Sequence, residues 1–325
     1  MKRNVLSLLG LCLSPLIAGE SSMDWSMFQP GIRKFTMSVK DSWMESPRAT
    51  QDGRSFSRQE WRGSLTLQAF ATENDEIQVG LHAGTDRLEL NQALPKSDPV
   101  PENMQSGSVW TSWRHVEKNG LGYGLRLGYS GSGDDLESRD CQSARATAFV
   151  RLPAADADDA WFLTLMYDER SQLAPGIPLP GIAYQWVEGK EWMAVLGLPF
   201  AMVRWKPQRS YELGVLASPF AASAWTNISP VETFSAFRLY SSIEWSSDRW
   251  FRHNRIDKDD AITLSGIRAV AGPNLNYGMG FDLRAYAGWA FDQWIAEGDS
   301  RRERRDNRVT LPDGFIWGAS IHLAF

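Results

Sequence analysis

The chain has 325 residues and a formal net charge of −5. That length allows one large domain or two small ones, and the acidic balance argues against nucleic acid as a partner. Fifteen Trp and 27 Gly are unusual together: Trp favours membrane interfaces, where its ring is apolar and its N–H stays wet, and Gly suits crowded barrel walls and tight turns.

The amino-terminal order is that of an export signal. Met1, Lys2 and Arg3 are followed by an apolar run from Val5 to Ile17, then by Ala18, Gly19, Ser21 and Ser22. The run is too short to span a bilayer as a helix. It predicts a signal peptide over residues 1–21 and a mature chain over 22–325. Leu11 before Cys12 does not suit a lipidation site. Cys12 leaves with the signal, so Cys141 is alone, which excludes an intrachain disulfide and a zinc site built mainly from Cys. No later stretch approaches about 18 apolar residues, so no transmembrane helix is expected.

The rest of the chain repeats a period-2 pattern. A weak first strand carries Phe35, Met37 and Val39. Leu65, Leu67 and Ala69 alternate with Ser64, Thr66 and Gln68, and Ile77, Val79, Leu81 and Ala83 with Gln78, Gly80, His82 and Gly84. The clearest strand runs from Leu121 to Tyr129, with Leu121, Tyr123, Leu125, Leu127 and Tyr129 on one face and Gly122, Gly124, Arg126 and Gly128 on the other. Similar alternation covers residues 143–152, 161–168, 211–218, 237–245 and 277–291. Many of these segments approach about ten residues, the length at which a tilted strand crosses a bilayer. Connections alternate: Thr72 to Glu76 is short, Leu88 to Ser106 long, Lys118 to Gly120 short, Gly131 to Asp140 longer. Towards the end, Ser246 to Asp260 is long, Gly272 to Asn276 reads as a short turn, and Asp292 to Asp313 is a long charged loop. Short turns belong to the periplasmic side and long loops to the exterior.

The final strand, Gly314 to Phe325, puts Phe315, Trp317, Ala319, Ile321, Leu323 and Phe325 on one face. A closing strand with a terminal aromatic suits an outer-membrane barrel. The prolines of residues 171–210, at 175, 178, 180, 199 and 207, blur the count, because proline cannot donate to a ladder. Merging across Pro199 gives about fourteen strands, and losing the weak first strand and one more in the middle gives about twelve, so an all-β, antiparallel transmembrane β-barrel of about 12–14 strands, an even number, is expected.

The segments Gly176-Ile-Pro-Leu-Pro-Gly-Ile-Ala-Tyr184, Val195-Leu-Gly-Leu-Pro-Phe200 and Trp205-Lys-Pro207 resemble the middle of a family of predicted bacterial outer-membrane β-barrels with no assigned activity. The resemblance covers this central stretch and implies fold and location. It implies no catalytic or binding residue.

The chemistry-bearing residues are dispersed. His82, His115, His253 and His322 lack metal-ligand spacing. Gly120, Gly122 and Gly124 lie in a strand with no helix after it, which does not fit a phosphate-cradling loop. Asp134, Asp135, Glu137 and Asp140, like Asp156, Asp158 and Asp159, read as solvated loops with divalent-cation binding as the rival. Ser112 and His115 could suggest a barrel hydrolase, but they fall on opposite strand faces. No cofactor, metal site or catalytic residue is predicted, and no enzyme activity. The inward charges are more telling: Arg126, Arg145, Arg151, Arg204, Arg238, Glu244, Asp282 and Arg284 are expected to line a lumen, with Glu212 among them. A watery channel removes the cost of burying such charges, whereas pairing across a narrow lumen would close it. The basic run Arg301, Arg302, Glu303, Arg304 and Arg305 could meet lipopolysaccharide phosphates. The expected function is an outer-membrane pore for small polar or anionic solutes. A closed structural or loop-binding barrel is the alternative, and a membrane-embedded hydrolase the third reading. Expected partners are outer-membrane lipid and small solutes.

Overall fold

The computed structural model describes residues 32, 37–94, 99–154, 158–208, 210–230, 236–255, 257, 260–276, 280–299 and 301–325. The expected signal peptide, Phe35, Asp156, Tyr277 and Met279 lie outside the described residues, as do the side chains of Arg301 and Arg302.

The elements are β1 (Met37–Gln51), β2 (Arg54–Ala71), β3 (Asp75–Leu90), β4 (Asn103–Val116), β5 (Gly122–Gly133), β6 (Gln142–Pro153), β7 (Ala160–Asp168), β8 (Leu179–Glu188), β9 (Trp192–Leu198), β10 (Ala201–Gln208), β11 (Tyr211–Ala217), β12 (Ala221–Ile228), β13 (Phe237–Trp250), β14 (Ala261–Asn276), β15 (Phe281–Gly298), helix α1 (Arg301–Asp306), the two-residue β16 (Val309–Thr310) and β17 (Gly314–Ala324). From β1 to β15 each strand pairs antiparallel with the next, and β17 pairs with both β15 and β1. The ring therefore closes on sixteen strands, with β16 a short addition that pairs with β15. Closure satisfies every strand edge, which is what lets a sheet stand in hydrocarbon, where no water serves unpaired backbone groups.

The alternation read from the sequence is the alternation of the wall. On β5, Leu125, Leu127 and Tyr129 are exposed while Ser130 and Ser132 are buried. On β3, Val79 and Leu81 are exposed while Gln78 and Asp86 are buried. Leu81 is 54% exposed and Leu196 57%. A soluble sandwich would reverse this, so the exposed apolar belt makes the ring a transmembrane barrel of the outer-membrane type. Outward aromatics gather in two bands. Trp113–Tyr123, Trp161–Tyr184 and Trp192–Trp205, with centroids 4.8–5.7 Å apart, lie beside the turns at the end of the barrel that carries Met37 and Phe325. Trp43 and Trp317, 4.5 Å apart, Trp61 and Trp289 form the second band further up the wall. Indole rings at both interfaces are the usual girdles of such a wall.

Connections at the Met37 end are at most eight residues long, such as 72–74, 189–191 and 229–236. The other end carries the longest ones, 91–102, 169–178, 251–260 and 299–313, together with 134–141 and the short turns 52–53, 199–200 and 218–220. By the length rule the first end is periplasmic and the second external.

Three sequence expectations need correction. The ring has sixteen strands, not twelve to fourteen. β12 escapes notice because its outward residues Ala222, Ala224 and Thr226 are small and give no apolar stripe, and β9 and β10 are separate strands joined through Pro199 rather than one kinked strand. Gly272 to Asn276 is not a turn: β14 continues to Asn276, with Pro273 opposite Leu239. β15 begins at Phe281.

Candidate functional site in the barrel interior

All eight predicted lumen residues lie on the face opposite the exposed belt, but they fall into different groups. Arg126 holds its guanidinium 3.7 Å over the Trp110 ring. Arg145 pairs with Asp168 at 3.1 Å. Arg284 pairs with Asp282 at 2.9 Å, and Asn276 also donates to Asp282. Glu244 faces Arg268 at 3.7 Å. Arg151 donates from Nη1 to the Gly120 carbonyl at 2.8 Å. Arg204 and Arg238 complete the set.

Of the eight, Glu244 belongs to a transverse ion-pair lattice that the sequence reading largely missed. Arg58 on β2 meets Glu60 at 2.9 Å, Asp86 at 2.6 Å and Asp248 at 2.8 Å. Arg62 reaches Asp86, and Arg268 reaches Glu60 at 3.4 Å. The Arg58–Asp248 contact joins β2 to β13 across the inner faces of β1, β17, β15 and β14. Four carboxylates (Glu60, Asp86, Glu244, Asp248) thus share three guanidiniums (Arg58, Arg62, Arg268), all buried but for partly exposed Arg62. Such a lattice persists only when pairing is extensive, because each buried ion carries a desolvation penalty of several kcal/mol. A signal was present: Arg58-x-Glu60-x-Arg62 places three charges on one strand face. It was not legible as a bridge because its partners sit roughly two hundred residues away.

The opposite wall is built differently. The register places Arg204 (β10), Gly214 (β11) and Trp225 (β12) in one row, and Glu212 beside Asn227 in the next row towards the periplasmic end. Glu212 is 2% exposed, and neither carboxylate oxygen has a hydrogen-bond partner among the described residues. The same holds for Arg204 Nε, Trp225 Nε1, Asn227 Oδ1 and Ser223 Oγ, and for Nε and Nη2 of Arg151 on β6. These atoms border a buried apolar cluster that includes Phe149, Phe162, Val195, Met202, Leu216 and Trp225, and similar ones occur across the ring at Glu244 Oε1, Thr263 Oγ1 and Asn274 Oδ1.

The external mouth is bridged. The segment after β13, from Phe251 to Arg255, crosses to β5, eight strands away on the ring. Phe251 N–H donates to the Ser132 carbonyl at 3.0 Å, Asp134 N–H to the Phe251 carbonyl at 3.3 Å, and Ser132 Oγ to the Arg249 carbonyl at 2.8 Å. Arg252 pairs with Glu297 at 2.9 Å, and Arg255 donates to the Asp140 carbonyl at 2.7 Å. The Phe251 ring is buried among the guanidiniums of Arg170, Arg249 and Arg255, at 4.8–5.0 Å from its centroid. Cys141 Sγ donates to the Phe251 carbonyl at 3.1 Å, and burial pushes its thiol pKa above the usual range.

The other candidates are placed apart from one another. Ser112 faces the interior, whereas His115 lies on the opposite face, 2.9 Å from Asp75 and stacked on Tyr123. His253 contacts Asp134 at 3.1 Å, and His322 contacts Ser38 at 2.9 Å. No group of three or more metal-ligating side chains occurs among the described residues. Asp134 accepts from the His253 backbone and Asp159 from Tyr184 and Val187, so both acidic stretches are tied into loop structure. Gly120 sits in a turn at φ 85°, a backbone state favouring glycine. Arg304 donates to the carbonyls of Gly298 and Asp299.

No family model and no curated protein matches the chain. Among solved structures it is similar to the translocator domain of the autotransporter NalP from Neisseria meningitidis, at 12% identity over 90% of this chain and 89% of that one, with a TM-score of 0.34. It is likewise similar to an outer membrane channel from Pseudomonas putida F1 (10% identity, 91% of this chain and 98% of that one, TM-score 0.36) and to CdiB from Acinetobacter baumannii (9% identity, 90% and 60%, TM-score 0.39). The fold assignment rests on the closed ring and its apolar belt rather than on these likenesses.

Proposed function

We propose that the protein is an outer-membrane barrel that passes small polar solutes through its interior, its external mouth held shut in this state by the Phe251–Arg255 strap. The observation that carries this reading is the charged inner face of the ring and its uneven ion pairing. Carboxylates and guanidiniums on β2, β3, β13 and β14 pair with one another, while Arg204 on β10 and Glu212 on β11 keep buried polar atoms with no hydrogen-bond partner among the described residues. A purely structural wall would pair or remove such atoms, because each one left unsatisfied costs about 1–3 kcal/mol. Arg126, Arg145, Arg238, Asp282 and Arg284 then form the electrostatic lining, with Glu244 held in the lattice.

Single-channel recording of the full mature chain in a planar bilayer tests the reading. The expected result is rare, brief openings for the unaltered protein and frequent discrete steps for Phe251→Ala, in which the strap loses its anchor. A heat-modifiable, folded barrel that stays silent in both forms would overturn it. The second reading, a closed barrel acting through its loops, draws on the Arg58–Asp248 bridge across the interior and would then take its place.

A further inference from the structure

We propose that water fills the interior along β1–β5 and that this part of the lumen is a path for small anionic solutes, with Lys40 as its specificity-determining residue. The inference deepens the transport reading by naming the solute class and rests on it, but which side of the interior holds water is tested separately.

Side-chain volume divides the interior. On the β6–β12 side the inward positions carry Phe149, Phe162, Met202, Leu216 and Trp225, which pack into one buried apolar cluster. On the β1–β5 side the register sets Lys40, Ser64, His82 and Ser108 in one row across four strands, on the inward face. Lys40 is exposed, and Ser64, His82 and Ser108 are half-buried. A side chain that points into a barrel is exposed only where water reaches it. The neighbouring row, Thr66, Gly80, Trp110 and Gly128, holds a single large ring. That indole lies along the wall, so close to Gly80 that a Cβ there would collide with it, and Arg126 stacks over its face at 3.7 Å. Hydroxyls and glycines thus leave room on this side that aromatic and aliphatic side chains fill on the other. The row of Lys40 ends on β5 at buried Ser130, two residues from Ser132, whose carbonyl accepts the Phe251 N–H of the strap. The accessible stretch therefore runs up to the strap, which closes it.

Charge names the solute. Among the described residues of β1–β5, the inward charged side chains that water touches are Lys40, Arg62 and Arg126, and His82 adds a fourth cation when protonated. Lys40 is the most exposed of them. The inward carboxylates of the same strands, Glu60, Glu76 and Asp86, are buried and paired with Arg58, Arg62 and Arg114. Asp168, on β7, is partly exposed and pairs with Arg145 at 3.1 Å. A permeating ion therefore meets cations at the water surface and carboxylates only behind them. A lining of one sign between low-dielectric walls raises the local concentration of the opposite ion by about ten-fold or more.

Two measurements on the full mature chain test the inference, with folding checked by heat-modifiable mobility. The first is the reversal potential of the Phe251→Ala channel in a potassium chloride gradient, with and without Lys40→Glu. The expected result is a channel that prefers chloride and moves towards potassium in Lys40→Glu. The second is thiol labelling of the detergent-folded barrel in a Cys141→Ser background with Phe251 in place. Ser64→Cys and Ser108→Cys are compared with Met202→Cys and Leu216→Cys, each with an anionic sulfonatoethyl and a cationic trimethylammonioethyl methanethiosulfonate. The two serine positions should react about ten-fold or more faster than the cluster positions, and should favour the anionic reagent relative to a free thiol. Three outcomes overturn the inference: cluster positions that label as fast as the serine positions; a preference there for the cationic reagent; or a Phe251→Ala channel that prefers potassium, or that keeps its preference and conductance in Lys40→Glu. Silence in every channel recording removes the transport reading, whereas the labelling still decides which side holds water and which charge it favours.

Discussion

Phe251 donates its backbone N–H to the Ser132 carbonyl at 3.0 Å, although β13 and β5 stand on opposite sides of a sixteen-strand ring. Phe251 to Arg255 therefore form a strap across the external mouth rather than a free loop. Three guanidiniums, two of them flanking it in sequence, hold the Phe251 ring, and each desolvated cation–π contact contributes up to about 2 kcal/mol. Phe251→Ala removes the ring and costs the mouth about 3–5 kcal/mol. The ring of strands, closed independently by β1 and β17, should survive. The expected outcome is an increased uptake of a small hydrophilic antibiotic by cells producing the variant, with unchanged heat-modifiable mobility of the purified protein.

Cys141 reports on the same strap. Its Sγ rests on the Phe251 carbonyl, and burial raises the thiol pKa, so the reactive thiolate is scarcer at neutral pH than for a free cysteine. The thiol should label slowly with a maleimide in the folded barrel and quickly in urea. In Phe251→Ala, labelling of the native barrel should accelerate by about ten-fold or more, the factor expected for a loss of shielding worth 1.4 kcal/mol. Equal rates in the two folded forms would contradict the assignment of Phe251 as the strap's anchor.

The lattice centred on Arg58 should be a stability element. Arg58→Met leaves Glu60, Asp86 and Asp248 without their shared cation, and removal of one partner from a buried network costs about 3–5 kcal/mol. A urea titration followed by tryptophan fluorescence should show the midpoint falling. The double change Arg58→Met with Asp248→Leu should recover part of the loss, because it removes one of the stranded charges. A midpoint unmoved by Arg58→Met would mean that the bridge contributes nothing.

Arg204 offers a test of the pathway. Arg204→Glu places two carboxylates, at 204 and 212, on adjacent strands of the same wall. If solutes pass there, the ion preference of the open channel in Phe251→Ala should shift towards cations, measured as a change in reversal potential under a salt gradient. An unchanged reversal potential with intact conductance would move the pathway away from β10–β12.

Much of this molecule was legible in the chain. Leu121 to Tyr129, Gly314 to Phe325 and the alternation of short and long connections define a lipid-facing wall, because strand periodicity is local and the membrane demands one apolar residue in two. The inward set from Arg126 to Arg284 followed from the same parity. What failed, failed for physical reasons. β12 has small outward residues and so no stripe, and Pro273 lies inside a strand where proline usually signals a turn. The Arg58 lattice was invisible because which charges meet across a lumen depends on the shape of the closed ring.

The sequence by itself determined the all-β class, the antiparallel wall, its apolar outer face and the inward placement of the arginines. Those properties depend on residues two apart on one strand and on the lengths of the connections between strands. The tertiary structure alone decided that the ring closes on sixteen strands, that Arg58 reaches Asp248, that Phe251 locks onto Ser132, and that Phe149, Met202, Trp225 and Tyr286 share one buried apolar cluster. These relations join residues far apart in the chain, and only closure of the barrel, which fixes the curvature and stagger of every strand, brings them together.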